Sequence, residues 1–260
     1  MRGIVITGAS SGIGAALVDR LARPGVALLL LGRNHARTAR AARRARALGA
    51  EAEAAAVDLR NAAELASVLG AFDDRHPVSL VLANAGVSSG PAPDGAPETR
   101  AAQQQVVEVN LIGAINTLDP LIPRLRARGA GRIVLVSSLA ALRPMPGMAA
   151  YAASKAGLRA YGAALRGALA PDGVGVTVVC PGFVTTPMSE RHLGPRPLEM
   201  PPERAAARIL AAAARGRAVA SFPLGLVLAL RADALLPTAL SDLIWRRVAP
   251  RILPDPGPVS

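Results

Sequence analysis

Thr7-Gly8-Ala9-Ser10-Ser11-Gly12-Ile13-Gly14 decides the fold, because it connects an apolar β-rich run to an amphipathic helical segment at the beginning of the chain. Glycines here let the backbone turn tightly and approach a pyrophosphate with no Cβ in the way. The following helix adds free N–H groups and a positive dipole at its N-terminus. We therefore predict a phosphate-binding turn formed by Gly8, Ser10, Ser11, Gly12, Ile13 and Gly14. A glycine-rich turn that binds nothing is the alternative.

Apolar runs alternate with Ala-rich helical segments along the rest of the chain, the pattern of a parallel sheet with helices on both faces. The predicted strands are Gly3–Thr7, Val26–Leu31, Ala54–Val57, Val78–Ala83, Arg132–Val136, Val174–Cys180 and Ala218–Phe222. The predicted helices are Gly12–Ala22, Ala36–Leu48, Ala62–Asp73, Glu98–Leu111, Leu118–Ala127, Tyr151–Leu169 and Pro202–Ala214. We predict an α/β fold, a Rossmann-type doubly wound parallel sheet of about seven strands in a single domain over residues 1–260. Loops predicted at Ser88–Pro97 and Ser189–Pro202 follow strand ends, where such sheets bind their ligands.

The composition argues against several function classes. The chain has 260 residues, of which 51% are hydrophobic but only 2% aromatic, so Ala, Val, Leu and Ile must fill the core. The formal net charge of +12 raises the question of nucleic acid binding. The arginines are spread along the whole chain, aromatic residues for base stacking are scarce, and no nucleic-acid motif occurs. No nucleic-acid partner is therefore predicted.

Cysteine usage and apolar runs set expectations for the compartment. Cys180 is the only cysteine, which leaves no intrachain disulfide and no multi-cysteine metal site, so no metal is predicted and a buried thiol is expected. The first strand begins at Gly3 after a single arginine, which leaves no room for a cleavable signal. Ala218–Leu230 is apolar but contains Pro223 and is shorter than the about 20 residues that cross a bilayer. We expect a cytoplasmic protein without a transmembrane segment.

Tyr151 and Lys155 stand four residues apart, and Lys155 is the only lysine among the 30 lysine and arginine residues. Lysine offers a compact ammonium that arginine cannot replace. On a helix this spacing puts both side chains on one face, so we expect the ammonium to lower the pKa of the phenol. Lowering it from about 10 to about 7 requires roughly 4 kcal/mol, which an ammonium about 4 Å away supplies at an effective dielectric near 20 but not in water. A closed, water-poor cleft is therefore predicted; a chance surface pair is the alternative.

Taken in order, the motifs resemble those of the short-chain dehydrogenase/reductase family, in its compact single-domain subtype. They run from Thr7 to Thr186 and are the glycine turn, Asn84-Ala85-Gly86, Asn110-Leu111-Ile112-Gly113, Ser137-Ser138, Tyr151–Lys155 and Pro181-Gly182-Phe183-Val184-Thr185-Thr186. The resemblance implies an oxidoreductase that transfers a hydride between nicotinamide and a small-molecule carbonyl or secondary alcohol. Chain length and glycine spacing disfavour an epimerase or dehydratase.

The resemblance also implies roles for four catalytic residues. Tyr151 would be the general acid/base, and Ser138 would hold the substrate oxygen. Lys155 would serve both the phenol and the nicotinamide ribose, and Asn110 would keep a water in a proton path to Lys155. Ser137 is expected to be structural, and local hydrogen bonding is the alternative for Asn110 and for either serine. A non-catalytic NADP(H)-binding regulatory protein is the alternative function, against which the complete set of four argues.

The prediction of which nicotinamide cofactor is bound depends on Arg33. The second predicted strand ends in Leu31-Gly32-Arg33-Asn34 without the carboxylate that would favour NAD(H), so Arg33 is predicted to bind a 2′-phosphate. NADP(H) is therefore predicted over NAD(H), the alternative being an exposed arginine with no ligand. The resemblance implies further cofactor contacts at Asp58, Leu59, Asn84, Ala85, Gly86, Tyr151, Lys155, Pro181, Gly182, Val184 and Thr186. A helix cap is the alternative role for Asp58.

The predicted substrate pocket is apolar, which favours a lipophilic aldehyde, ketone or secondary alcohol. Its residues are Leu139, Leu142, Met145, Met148, Phe183 and Met188, for each of which ordinary core packing is the alternative. Residues 189–215 would form a substrate loop or lid.

The segment Pro223–Leu253 departs from the family pattern of a strand followed by an Asp-Gly-Gly turn. It is apolar with Trp245 beside two arginines, and it fits two short amphipathic helices broken by Pro237. Covering the active site, forming a subunit contact and resting on an anionic membrane surface are all open for this extension. The resemblance implies a homodimer or homotetramer.

Overall fold

A seven-stranded parallel sheet forms the centre of the computed structural model, which describes residues 1–91, 98–248 and 251–253. Its strands are β1 (Arg2–Thr7), β2 (Val26–Leu31), β3 (Glu51–Ala55), β4 (Val78–Ala83), β5 (Gly131–Val136), β6 (Val174–Pro181) and β8 (Val219–Phe222). Their order across the sheet is β3-β2-β1-β4-β5-β6-β8. A separate antiparallel pair joins β7 (His192–Leu193) to β9 (Arg251–Ile252). The predicted doubly wound α/β fold in a single domain is confirmed.

Helices cover both faces of the sheet. They are α1 (Gly12–Leu21), α2 (His35–Ala47), α3 (Ala62–Arg75), α4 (Arg100–Val107), α5 (Gly113–Leu118), α6 (Ile122–Ala127), α7 (Ala149–Leu169), α8 (Pro202–Ala214), α9 (Leu224–Asp233) and α10 (Thr238–Val248). One core layer packs α1, α2 and α8 against the sheet, and the other packs α3, α5, α6 and α7. Alanine and branched aliphatic residues fill both layers, with Phe72 the largest fully buried side chain, as the low aromatic content requires.

Two predicted elements differ from the structure. The third strand was expected at Ala54–Val57 but spans Glu51–Ala55, because its pairing with β2 begins at Ala27 opposite Glu51. At the edge of the sheet its glutamates point away from the core, so hydrophobicity alone misplaces the strand. The helix expected over Glu98–Leu111 begins at Arg100, after the Thr99 cap, and changes to π-helical geometry over Glu108–Ile112.

The remaining differences lie in the connecting segments. The helix expected at Leu118–Ala127 is divided, with α5 ending at Leu118 and α6 beginning at Ile122. In the predicted loop Ser88–Pro97, residues 92–97 lie outside the described part of the chain. After β8 the chain forms α9 and α10 with Pro237 between them, although α9 has leucines on both its buried and its exposed sides and is not amphipathic. Among the described residues no helix is both long and apolar enough to cross a bilayer.

A buried carboxylate fixes the helices on one face to the sheet. Asp73, whose side chain is 2% exposed, accepts the backbone N–H of Val78 at 2.8 Å. It also accepts two guanidinium N–H groups of Arg128 at 2.9 Å and one of Arg124 at 3.1 Å. Burial raises the pKa of Asp73, but the hydrogen bonds from Arg128, Val78 and Arg124 outweigh it, so the pKa lies below its usual value. This carboxylate therefore connects α3, α6 and the beginning of β4.

We expect Asp73→Asn to destabilise the protein by about 3 kcal/mol at pH 7, because two arginines lose the charge that compensates their partial burial. The adjacent Asp74, 67% exposed and paired with Arg124, provides the control: Asp74→Asn should cost no more than about 1 kcal/mol. Urea unfolding measures both. Since the pKa of Asp73 is lowered in the folded state, its contribution is present above about pH 4 and is lost as the pH falls further. Equal losses for the two variants at pH 7 would contradict this assignment.

Candidate active site

The candidate site lies where the order of strands reverses, between the carboxyl ends of β1 and β4. The Thr7 hydroxyl at the end of β1 accepts the backbone N–H groups of Asn84 and Ala85, each at 3.0 Å. The Asn84 side chain in turn donates to the carbonyl oxygens of Thr7 at 3.1 Å and Gly8 at 3.4 Å. The loop after β4 therefore holds the glycine turn in place, and Asn84 contributes by donating hydrogen bonds to two backbone carbonyl oxygens of that turn.

The turn itself requires glycine for steric reasons. Gly8 and Gly12 have φ of 64° and 51°, a region that L side chains rarely adopt. A Cβ on Gly14 would lie 2.0 Å from the carbonyl oxygen of Gly8, and one on Gly12 would lie 2.7 Å from the Thr186 methyl group. Ser11 caps α1 without a side-chain hydrogen bond, and the first turn of α1 has no acidic residue. The helix N–H groups thus remain available to an anion, and the turn fits a dinucleotide pyrophosphate.

A cavity of about 470 Å³ connects this turn to the predicted catalytic residues. From the predicted cofactor and catalytic sets it is lined by Gly8, Ser11, Gly12, Ile13, Asn84, Ala85, Gly86, Ser138, Tyr151, Lys155, Pro181, Gly182, Val184 and Thr186. From the predicted substrate pocket it is lined by Leu139, Met145, Met148, Phe183 and Met188. One continuous space thus joins residues spread over most of the chain.

Tyr151 and Lys155 lie on the first turns of α7, both turned toward the cavity. The Lys155 ammonium lies 5.9 Å from the centre of the Tyr151 ring and donates to the Val136 carbonyl oxygen at 2.9 Å. The Ser138 hydroxyl hydrogen-bonds the Tyr151 phenol and accepts the N–H of Ala140 at 3.1 Å. Ser137 donates to the Lys155 backbone carbonyl at 2.7 Å, a structural contact of the kind expected for it. The two serines after β5 thus fix the phenol and the helix that carries it.

Burial dominates the protonation of this pair. It raises the pKa of the Tyr151 phenol, which the Ser138 hydrogen bond lowers in part. Burial also lowers the pKa of Lys155 to about 8, against a smaller opposite effect of Cys180. The pKa of the Tyr151 phenol is therefore raised, not lowered as the spacing of Tyr151 and Lys155 led us to expect. The ammonium lies over the ring and bonds to Val136, and transfer out of water penalises the charged form of both groups.

Asn110 lies behind the cavity, fully buried in the π-helical segment. Its side chain accepts the N–H of Val87 at 2.7 Å and donates to the carbonyl of Val87 at 2.9 Å and to the Ser154 hydroxyl at 3.0 Å. A Cβ on Gly86 would meet the Asn110 oxygen at 3.2 Å and the Lys155 ammonium at 3.1 Å. Asn110 and Lys155 therefore approach the same glycine. Asn110 lies in this π-helical turn, which was not predicted from the sequence, and its side chain points into the interior.

The remaining predicted cofactor residues lie outside the cavity. Arg33 is exposed at the end of β2, and its charge contributes to lowering the pKa of Asp58, although the hydrogen bond from Arg60 is the largest cause. Next to Arg33, a Cβ on Gly32 would lie 3.6 Å from the Ser10 hydroxyl. Asp58 does not cap α3, whose cap is Asn61. Arg33 thus lies close enough to Asp58 to affect its pKa, and it follows Gly32, which lies near Ser10.

Gly14, Leu59 and Leu142 do not line the cavity either. Gly14 packs α1 against the turn, and Leu59 is buried against Gly113. Leu142 packs against the core beneath the site.

The cavity wall also includes five residues that the sequence analysis did not name as site residues: Arg143, His192, Leu226, Leu230 and Trp245. His192 lies in the predicted substrate loop 189–215, and the last three lie in the extension Pro223–Leu253, for which covering the active site was one of the open roles. The His192 ring packs edge-on against Phe183 with centroids 5.7 Å apart. Burial, with Arg191 and Arg196, lowers the pKa of His192 to about 4, so the ring is neutral at pH 7. The single tryptophan of the chain was the one sequence signal for the contribution of α10.

Two relatives are similar to this chain over most of its length. The chain is 35% identical over 248 residues to an uncharacterized oxidoreductase of Myxococcus xanthus, covering 95% of this chain and 97% of that protein. It is 33% identical over 191 residues to a putative ketoacyl reductase of Streptomyces coelicolor, covering 71% of each.

Two solved structures resemble this chain in fold. A short-chain dehydrogenase from Sphingobium yanoikuyae in complex with NADPH superposes with a TM-score of 0.78 at 29% identity, covering 94% of this chain and 95% of that chain. A short-chain dehydrogenase from Mycobacterium paratuberculosis bound to NAD superposes with a TM-score of 0.74 at 25% identity, covering 85% and 94%.

A doubly wound sheet that joins a phosphate turn to a buried tyrosine and lysine defines a class of dinucleotide-dependent oxidoreductases. The family described as short chain dehydrogenase matches residues 2–194. The chain belongs to this family of oxidoreductases.

We expect Lys155→Met to stabilise the cofactor-free protein at pH 7 by about 2 kcal/mol, because wild type must hold a buried ammonium on a residue that is 3% exposed. Since the Lys155 pKa is about 8 in the folded state against 10.5 normally, the unfolded chain binds more protons between these values. Wild-type stability therefore rises with pH over this window, and the advantage of the variant shrinks. Urea unfolding at pH 7 and pH 10 measures both effects.

Lys155→Arg provides the control, because it carries a cation that cannot be deprotonated. Its stability relative to Lys155→Met should remain low at both pH values. A constant difference between wild type and Lys155→Met across the window would show that the Lys155 pKa is not lowered.

Proposed function

We propose that this protein is an NADP(H)-dependent reductase that transfers a hydride between nicotinamide and the carbonyl carbon of a lipophilic ketone or the corresponding secondary alcohol. The observation that carries the proposal is the single cavity that joins the glycine turn to Ser138, Tyr151 and Lys155. A binding module would have no use for a buried proton donor at the far end of its nucleotide site. A non-catalytic NADP(H)-binding protein is therefore disfavoured.

Tyr151 is the proposed general acid/base. The bound nicotinamide would supply a hydride but no proton, so a protein group must protonate the carbonyl oxygen. The Tyr151 phenol is protonated at neutral pH, because its pKa lies above the usual value, so it holds the proton that the reductive direction requires. Ser138, already bonded to the phenol, would hold the same substrate oxygen.

Lys155 and Asn110 would restore the proton. The Lys155 ammonium, with a pKa of about 8, exchanges its proton near neutral pH. Its contact with Val136 occupies one of the three N–H donors, so others remain for the nicotinamide ribose and a water. Asn110 would position that water, because its oxygen and the ammonium approach the same face of Gly86.

NADP(H) is the proposed cofactor. Arg33 is exposed directly after Gly32, where an adenosine 2′-phosphate would lie, and the segment Leu31-Gly32-Arg33-Asn34 at the end of β2 contains no carboxylate to repel it. The nearby carboxylate of Asp58 is paired with Arg60. The neighbour from Sphingobium yanoikuyae is complexed with NADPH, whereas the neighbour from Mycobacterium paratuberculosis is bound to NAD. The choice therefore rests on Arg33.

The proposed substrate is a ketone on a lipophilic chain. Methionine, leucine and proline side chains line the cavity beyond Tyr151, together with Phe183 and Trp245. His192 is neutral there and the Arg143 guanidinium is paired with Asp233 and Asp242, so the wall offers little to a charged sugar. The name of the relative from Streptomyces coelicolor, a putative ketoacyl reductase, is consistent with this class.

Compartment and assembly are further proposals. The buried thiol of Cys180 is compatible with the cytoplasm, which we propose as the compartment. A homodimer or homotetramer is the proposed assembly, as the family resemblance implies. Exposed small residues of α7, including Ala153, Ala160, Ala163 and Ala164, would permit close helix packing between copies.

We expect Tyr151→Phe to lower kcat for ketone reduction by about 10²- to 10⁴-fold, because the carbonyl oxygen loses its proton donor. NADPH binding, measured by fluorescence titration, should change little. Tyr161→Phe is the matched control: it alters the other tyrosine of α7, which does not line the cavity, and should retain wild-type turnover. Substantial turnover by Tyr151→Phe would refute the acid/base role. NADPH binding by wild type without turnover on a panel of aldehydes and ketones would favour the regulatory alternative.

We expect Arg33→Asp to raise the KM for NADPH about tenfold or more while lowering that for NADH, because a carboxylate replaces the partner of the 2′-phosphate. Arg23→Asp makes the same charge change on an exposed arginine at the opposite end of β2 and should leave the preference unchanged. Initial rates with both coenzymes measure the ratio. An unchanged ratio in Arg33→Asp would remove the basis for NADP(H).

A further inference from the structure

Helices α9 and α10 form a hairpin whose inner side closes the cavity. Leu226 and Leu230 of α9 and Trp245 of α10 line it directly. The two helices are connected through Asp233, which accepts the Ser241 hydroxyl at 2.7 Å and the Trp245 indole N–H at 2.9 Å.

Arg143 fixes the hairpin to the rest of the site. Its guanidinium pairs with Asp233 at 2.9 Å and Asp242 at 3.1 Å, and it donates to the Ser241 hydroxyl at 2.6 Å. It also lies over the Trp245 ring, 5.9 Å from its centre. The hairpin is thus a positioned wall of the active site.

The opposite side of the hairpin carries a set of exposed aliphatic residues, which we call the outer hairpin face. It consists of Leu224, Leu228, Leu235, Leu236, Leu240, Leu243 and Ile244. Leu224, Leu228 and Leu235 repeat at helical spacing along α9 and into the turn, where Leu235 is 87% exposed. Leu240, Leu243 and Ile244 do the same along α10. Leu198, also exposed, extends this face, since a Cβ on Gly225 would lie 3.2 Å from it.

A surface of this kind requires an apolar partner. Helix α9 buries Val227 and Leu230 on one side and exposes leucines on the other, and a helix with apolar residues on opposite sides is normally covered on both. Large contiguous apolar patches mark sites of protein or membrane interaction. No helix among the described residues can cross a bilayer, so a membrane partner would be contacted from one side.

The charge of the protein distinguishes a lipid surface from a second copy. The segment Pro223–Leu253 contains four arginines but two aspartates, Asp233 and Asp242, and both aspartates pair with Arg143. Arg231 of α9 is exposed beside the leucines. Two copies facing each other would each bring a formal charge of +12, whereas an anionic bilayer attracts it.

We infer that the outer hairpin face is a membrane-docking surface, which inserts its leucines at the interface of an anionic bilayer while arginines contact the headgroups. The inner side of the same hairpin lines the cavity, so docking places the active-site wall against the lipid. This inference rests on the proposed function only for its consequence, the capture of a lipophilic ketone from the membrane.

Co-sedimentation with vesicles tests the docking directly. Wild type is expected to sediment with vesicles of equal parts phosphatidylglycerol and phosphatidylcholine, and far less with phosphatidylcholine alone. The double variant Leu228→Asp/Leu243→Asp should bind the anionic vesicles about tenfold or more weakly. Leu48→Asp is the matched control, because Leu48 at the end of α2 is 46% exposed and Leu243 is 47% exposed. It should bind as wild type does, and circular dichroism confirms folding of all variants.

Three outcomes overturn the inference: wild type that stays in solution with anionic vesicles, a double variant that binds as well as wild type, or equal binding to both lipid compositions. Sedimentation velocity without lipid tests the competing occupant. If the double variant dissociates an oligomer that wild type forms, the outer hairpin face is a contact between copies. Reduction of a water-soluble short-chain ketone in the absence of vesicles tests the proposed function separately, because it needs no membrane.

Discussion

The reversal of strand order between β1 and β4 is the constraint on which the site depends. Parallel strands end at one edge of the sheet, and the reversal leaves a crevice there that adjacent crossover helices cannot fill. Thr7 and Asn84 join the two strand ends by hydrogen bonds, so the glycine turn has a rigid support. The phosphate turn and the tyrosine helix then face one cavity, although they are more than a hundred residues apart in the chain.

Burial is the second determinant, and it sets the charge of the groups in this crevice. Transfer out of water favours the neutral form of both Tyr151 and Lys155, so the phenol remains a proton donor and the ammonium becomes able to exchange its proton. Asp73 is also buried, but it keeps its charge because hydrogen bonds from two arginines and a backbone N–H outweigh the effect of burial and lower its pKa. The number of hydrogen bonds to the charged form decides which outcome prevails.

The C-terminal hairpin links the site to the surface. Its inner residues close the cavity and Arg143 holds it in place, while its outer residues remain exposed. In the proposed docking, one pair of short helices serves both as substrate wall and as membrane contact. A lipophilic substrate would then reach the cavity without crossing bulk water, where its apolar surface is costly to expose.

Local signals in the sequence determined the fold, the glycine turn and the spacing of Tyr151 and Lys155, because backbone sterics and helical periodicity act over a few residues. Tertiary structure decided what depends on remote contacts. Because of its pairing with β2, strand β3 begins three residues earlier than its hydrophobicity indicated. Asn110 lies in a π-helical turn that no local sequence signal predicts. The pKa of Tyr151 also escaped the sequence, since it depends on burial among residues from separate strands and helices. Arg143, His192 and Trp245 have no motif that foretells a shared cavity, and only folding brings them together.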